Sequence, residues 1–419
     1  MGLDIGLILL GVLVLLGRVG LALYVTGLVR SKNSAGTVTR VLCDACVSSL
    51  AFWAIGAAIF LQSKNGIFFI DRSLLFGWVV DRSAVIFFHL AVFLLATGVV
   101  VGAISERCRF FTLCVASSVL AGLVLPITAG WVWLGWLKTW GFVDIGGASA
   151  LHVAAGVFAA MGAIIVGPRT GKFNRDGSST MIPGHNMPLA SIGSILLIVA
   201  WIGCLAGRSV YTPVEFRQVA TVAGPVLPDS VLMAMAAYNT LLAAAAAGFA
   251  SLVLGQLRYG KPDVVLTLMG MLGGLVAIGG GAGAISTPGA VLTGAIAGIV
   301  VPLMSIVIDL RLRVDDPTGL VAVHAVGGAW GTIAVALFAH LPTIADHGTQ
   351  LLKQIVGVLV IAVFSAAISW IVFAILKATI GIRAREADEF DGLDLAEHDI
   401  GAYPDFQQTM IKSYHLREV

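Results

Sequence analysis

The feature that most constrains this chain is a succession of apolar blocks separated by short charged turns. Each block runs to about 20 residues or more, the length an α-helix needs to cross a hydrocarbon core of about 30 Å. Lipid offers no partner for backbone N–H and C=O groups, so blocks of this kind must be helices. Eleven spans can be read, at approximately 5–29, 40–62, 84–105, 109–132, 147–167, 187–207, 230–255, 263–283, 288–309, 319–341 and 351–380. Composition agrees: 58% of residues are hydrophobic and 11% charged, where a soluble domain carries about a quarter charged residues. Fifty glycines suit helices that approach closely in a membrane. The first apolar stretch continues to Leu28 behind a Met1–Gly6 start without basic residues. It is read as a retained span, not a cleaved leader.

The charge in the turns is unevenly divided. Turns after odd-numbered spans hold Arg30, Lys32 and Arg40; Arg107 and Arg109; Arg169, Lys172 and Arg175; Arg258 and Lys261; Arg311 and Arg313; Lys377, Arg383 and Arg385. Turns after even-numbered spans hold Lys64, Arg72, Arg82, Lys138, Arg208 and Arg217. The positive-inside rule then puts the odd set in the cytoplasm, the N-terminus outside and the C-terminus inside. An odd number of spans requires the same arrangement. A net charge of +2, with no basic run, gives no sign of nucleic-acid binding. Cys43 and Cys46 form a C-x-x-C without a second pair, which falls short of a zinc site's four ligands.

A weak internal repeat sets out the candidate site. Asp144 is followed eight residues later by His152 in DIGGASALHVAAG, and Asp316 eight residues later by His324 in DPTGLVAVHAVGGAWG. The segments lie five spans apart and so enter the membrane from opposite sides, as in transporter folds built from inverted halves. Ionisable groups at this depth usually mark a pathway. Two core histidines could serve packing alone, but equivalent places in two inverted halves argue for a route. Without a third ligand the pair makes a poor metal site, and no cofactor is expected. Nor is there a nucleophile–base pair or phosphate-cradling loop of the kind an enzyme would need: the GGGAG near Gly279 sits at a span end, not after a strand.

The runs GWVWLGWLKTWGFVDIGGASALHVAAG and VDDPTGLVAVHAVGGAWG resemble the pore segments of the ammonium transporter (Amt/Mep/Rh) family. GAISERCRF, GPRTGKF, GHNMPLASIG and EFDGLDLAEHDIGAY match further landmarks, so the resemblance covers about residues 5 to 403. It implies an all-α integral membrane fold: an inverted 5+5 repeat plus a final helix, around one pore per subunit of a homotrimer. Residues 1–385 would form the transmembrane domain and 386–419 a cytoplasmic tail, in a multi-pass protein of the cell (inner) membrane. The implied ligand is ammonium, recruited at Trp133 by cation–π attraction of about 2 kcal/mol when desolvated. A full charge in an apolar pore costs far more, so the family's solution is to deprotonate the ion and pass neutral NH3 by His152 and His324. An imidazole can both donate and accept. Asp144 resembles the family carboxylate that favours the cation and holds the local turn; either role, or both, is open.

Several positions depart from the family. Counting back from Glu106, the first gate phenylalanine falls on Val92, beside Phe93, and a family glutamine becomes His89. In AWIGCLAGRS, Trp201 is kept, the second gate position is Cys204, and the ion-binding serine aligns with Arg208, unless Ser209 replaces it after a one-residue slip. An acid three positions after the second aspartate of DDP is Gly319 here. Val92 and Cys204 should leave a wider mouth. Arg208 sets a fixed cation where a cation should be recruited, unless Glu215 or Asp144 pairs with it or it snorkels to solvent. After EHDIGAY, Phe406, Met410, Ile411 and Tyr414 share a helical face. That segment reads as a linker toward a signalling module, a dock for a PII-type regulator, or a disordered end. Two functions follow: an ammonium transporter, or an ammonium sensor that signals through the tail with little conduction.

Overall fold

The computed structural model describes residues 2–62, 75–76, 82–211, 228–339 and 344–403. Among them, nine helices are long and apolar enough to cross a membrane: Asp4–Leu28, Ser31–Leu61, Ser83–Ala103, Phe110–Trp140, Ala148–Val166, Met187–Ser209, Asp229–Tyr259, Thr287–Leu310 and Ala345–Thr379. Two shorter apolar helices, Val264–Ile278 and Ala322–Phe338, stand with them. No regular strand occurs among the described residues. The chain is an all-helical, multi-pass membrane protein. Lys64, Arg72, Glu215 and Arg217 lie outside the described residues, as do Phe406, Met410, Ile411 and Tyr414.

Helix ends differ from the hydropathy reading where polar side chains find partners. The second helix begins at Ser31, not near residue 40, because Asn33, Thr37 and Arg40 are buried against polar groups. The last helix likewise begins before 351, where Gln350 donates to the carbonyl of Gly141; one turn on, Gln354 donates to those of Val143 and Thr332. Conversely, the helix expected to reach 283 ends at Ile278. The Gly279 and Gly280 carbonyls instead accept the N–H groups of Gly146 and Ile145, at 2.7 and 3.0 Å. This backbone seam holds the turn that follows Asp144.

Two contacts position the centre. Helices Ala148–Val166 and Ala322–Phe338 touch backbone to backbone: a Cβ on Gly156 would stand 2.4 Å from the Ala325 nitrogen, and one on Gly328 2.3 Å from the Ala148 carbonyl oxygen. Only glycine permits that approach. Elsewhere, Arg18 and Asp44 form a buried ion pair between the first two long helices. Arg18 also donates to the carbonyls of Leu94 and Val41, and the Thr97 hydroxyl donates to Asp44, so the pair ties in a third helix.

Removing one partner of this pair leaves an uncompensated buried charge, which costs about 3–5 kcal/mol. Asp44→Asn should therefore lower the thermal stability of detergent-purified protein more than the double change Arg18→Met with Asp44→Leu. A single variant as stable as the wild type would contradict a buried, charged pair.

Candidate functional site

The two histidines sit in matched local structures. Each lies in a π-helical turn, Ala148–Val153 or Ala322–Val326. Such a turn adds a residue to the helical repeat and re-aims its side chains. Each turn is preceded by an aspartate and, three residues on, a glycine at positive φ: Asp144 with Gly147 at 95°, Asp316 with Gly319 at 71°. Asp144 accepts four backbone N–H groups, from Gly147, Ala148, Ser149 and Ala150, at 2.7–2.8 Å. Asp316 accepts that of Val321 at 2.8 Å. Carboxylates here satisfy the orphan donors of a helix start and complement its dipole. Gly319, an acid in the family, thus supplies the backbone conformation that Gly147 supplies in the other half.

The helices run antiparallel. Ala148–Val166 leads from a cavity lined by Asp144 to one lined by Arg169, and Asp316 and Gly319 line that second cavity, where the other helix begins. Between the cavities, Nδ1 of His152 and Nδ1 of His324 are 3.0 Å apart, both residues buried. Trp201 stacks on His152 with centroids 5.2 Å apart and planes 21° from parallel. Two Nδ1 atoms at hydrogen-bond distance share one proton, so one ring donates and the other accepts. Each Nε2 then differs in kind from its neighbour: one is a lone pair and the other an N–H.

The cavity beside Trp133 has a volume of about 190 Å³, and its walls include Phe60, His89, Trp133, Asp144, Arg208 and Tyr211. Trp133 is fixed by donating its indole N–H to the Asp144 carbonyl at 2.8 Å. Arg208 does not snorkel. It is 3% exposed, and its guanidinium carbon lies 3.6 Å from the Trp133 ring centre and 4.8 Å from that of Tyr211. Its Nε donates to the Ile145 carbonyl and its Nη1 to His89 Nε2, each at 2.9 Å. His89 Nδ1 is 2.7 Å from the Val85 carbonyl, which can only accept, so Nδ1 carries the proton and the ring is neutral. Among the described residues no carboxylate pairs with Arg208, and the Asp144 oxygens are already taken by the turn. The expected acid partner is not Asp144; Glu215 lies outside the described residues.

The wider mouth expected from Val92 and Cys204 does not appear. Both are buried and neither lines the cavity. Phe93 lies 5.6 Å edge-on to Phe60 and 6.3 Å from Trp133, so aromatic rings pack together beside the cavity. Phe60, from the second helix, was not singled out in the sequence. Ser209 is buried and donates to the Ala206 carbonyl of its own helix, which keeps its hydroxyl from the cavity.

At the far end, an ion network gathers three of the sequence landmarks. Arg169 of GPRTGKF forks onto Asp315 of DDP with two bonds of 2.9 Å and reaches Glu106 of the SER run at 2.7 Å. Arg30 and Asn33 also hold Glu106. The tail is seated on this face. Glu389 accepts from Arg383 and the Thr170 N–H, Asp394 accepts the N–H groups of Ala35 and Gly36, and Glu397 pairs with Arg40. These residues come from separate loops, and no spacing in the sequence brings them together. Burial opposes the Asp315 charge, but the bonds and charge of Arg169, then Arg107, hold its carboxyl down at about 2.

Apolar helices with a buried histidine pair between two cavities define a polytopic membrane protein with a candidate site in its interior. The chain belongs to the Ammonium Transporter Family, whose sequence profile matches residues 6–403. It is 33% identical to the ammonium transporter Amt2 of Archaeoglobus fulgidus, covering 95% of this chain and 87% of that one. Against Amt1 of Haloferax mediterranei identity is 32%, over 92% of this chain and 76% of the relative. A solved structure described as a sensor Amt protein superposes with a TM-score of 0.86 at 31% identity, covering 94% and 98% of the two chains. Mep2 of Candida albicans shares the fold, with a TM-score of 0.79 at 20% identity over 92% and 87%.

Because the folded Asp315 carboxyl, at about 2, lies below the ordinary aspartate value of about 3.9, its contribution to stability is complete above about pH 4. It is lost as pH falls toward 2. Thermal unfolding of wild type and Asp315→Asn should show the variant weaker at neutral pH, with the gap closing below pH 4. A gap that stays constant to pH 2 would rule out a charged Asp315–Arg169 pair.

Proposed function

We propose that this chain conducts ammonium as neutral NH3. The ion is drawn to the Trp133 cavity from outside, gives up its proton to the water there, and ammonia passes His152 and His324. The observation that carries this reading is the imidazole pair, 3.0 Å apart and buried between the two cavities. Ammonia both donates and accepts hydrogen bonds, which suits a pair offering one Nε2–H and one Nε2 lone pair. An ion that cannot lose its charge finds no carboxylate beside these rings. Asp144 would favour the arriving cation while holding the turn, and Asp316 would hold the equivalent turn.

The wider architecture follows from the same reading: eleven spans, an inverted 5+5 repeat and a final helix. The N-terminus lies outside and the C-terminus inside the cell (inner) membrane, with residues 386–419 as a cytoplasmic tail. Arg30, Arg169 and Arg383, all from turns of the odd set, converge on the face away from Trp133, which supports that orientation. The chain acts as a homotrimer, is not an enzyme, and offers its tail face to a PII-type regulator.

A second reading, an ammonium receptor with little conduction, is favoured by Arg208. Its guanidinium occupies the face of Trp133 that a recruited cation would use. Two unit charges 4 Å apart repel by about 4 kcal/mol at an effective dielectric of about 20, more than the roughly 2 kcal/mol that a desolvated cation–π contact returns. The seat cannot hold both.

Ammonium pulses on proteoliposomes holding a trapped pH dye, beside equilibrium binding to purified protein, separate the readings. Passage of NH3 requires lumen alkalinisation faster than in protein-free vesicles that disappears in His152→Ala and His324→Ala. Saturable binding without such alkalinisation would replace it with the receptor. In either case Arg208→Ser should strengthen ammonium binding or uptake by about tenfold or more.

A further inference from the structure

Among the described residues, the lining of the Trp133 cavity carries an excess of positive charge. Arg208 and Lys138 are cationic and Asp144 is anionic, leaving one positive charge over. The two cations differ in burial: Lys138 is exposed at the rim, whereas Arg208 is 3% exposed. Every group that holds Arg208 is neutral: the Ile145 carbonyl, the lone pair of His89 Nε2, and the rings of Trp133 and Tyr211. Asp144 makes no hydrogen bond or ion pair with it, since both its oxygens accept backbone N–H groups of the turn it caps. Arg208 therefore enters the site as a buried cation without an anionic partner among the described residues. Its Nη2 makes no hydrogen bond to any of them.

A buried guanidinium with donors to spare calls for an anion, and charge-assisted bonds of this type are the stronger ones. We propose that the Trp133 cavity binds a small monovalent anion, held by Nη2 of Arg208 with Lys138 at the rim. The ligand class is a halide, nitrite or a one-carbon carboxylate. About 190 Å³ accommodates such an ion with a few waters, each taking about 30 Å³ of liquid volume. A divalent oxyanion is excluded by charge, since it would leave a net negative charge beside the Asp144 carboxylate. A monoanion instead brings the cavity lining to neutrality. The proposal goes beyond the ammonium reading and does not require it.

The test uses full-length, detergent-purified protein in a gluconate buffer, titrated calorimetrically with sodium chloride, sodium nitrite, sodium formate and sodium sulfate. Saturable heats are expected with at least one monoanion and not with sulfate; the monoanion arms identify which chemistry the site prefers. Arg208→Gln, which keeps a donor and removes the charge, should weaken that binding by about tenfold or more. Lys138→Gln, at an exposed position, should weaken it a few-fold and serves as the measurement if Arg208→Gln does not purify. Absence of saturable heat with all three monoanions overturns the proposal, as does equal binding by wild type and both variants. Ammonium binding, measured separately in gluconate with His152→Ala as control, reports on the ammonium reading alone, so either can fail without the other.

Discussion

A histidine buried in a lipid-bounded interior must find a hydrogen-bond partner, and here His152 and His324 find each other. Much of the architecture serves that meeting. Two antiparallel helices must cross near their starts with their backbones touching, which Gly156 and Gly328 permit. Each start must be held without a preceding turn of helix, which Asp144 and Asp316 achieve by accepting the orphan N–H groups. Each histidine must then be aimed inward, which the local widening to a π-turn accomplishes. A larger residue at either glycine would push the helices apart and leave two polar rings unsatisfied, a cost of about 1–3 kcal/mol for each.

The same logic explains how a buried arginine is tolerated near the mouth. Arg208 stands where the family resemblance calls for a serine, yet it is not stranded. A neutral histidine accepts from it, a backbone carbonyl accepts from it, and two aromatic faces lie against it. His89 is part of this arrangement: with Nδ1 engaged by the Val85 carbonyl, its lone pair is turned toward Arg208. The two substitutions read as one. A glutamine in place of His89 could also accept, but it would not add a ring to the cluster of Phe60, Phe88 and Trp133 around it.

The helices and the histidine pair were legible from sequence because each rests on a local pattern: apolar length for the first, a repeated aspartate–histidine spacing for the second. Arg208 was legible as an anomaly, but not its direction, because a side chain at a span end can turn to solvent or inward with equal ease in a linear reading. Phe60 carries no such signal, because the family's gate positions fall on two other helices, at Val92 and Cys204, while this ring arrives from a third. Arg18 and Asp44 are a different kind of miss. Both are ionisable residues inside apolar spans, and the rule that drew attention to the histidines applied equally to them. The network of Glu106, Arg169 and Asp315 had no sequence signal beyond membership in three separate landmarks.

These electrostatics bear directly on the proposed conduction. Trp201 lies against both rings of the histidine pair, and among the described residues no carboxylate stands within ion-pair distance of either ring. Among the described residues that line the two cavities, charges stand at Arg208 and Asp144 on one side and at Asp316 and Arg169, paired with Asp315, on the other. An ion moving between them would leave one charged end and give up its hydration before reaching the other, with only neutral groups to replace it. Desolvating an ion in protein costs several kcal/mol even after relaxation, which a single neutral hydrogen bond of about 0.5–1.5 kcal/mol does not offset. A neutral molecule with both a donor and an acceptor meets no such barrier. Under the proposed conduction of NH3, the charge is left at the Trp133 cavity, beside Arg208 and Asp144, and a neutral species meets the histidine pair.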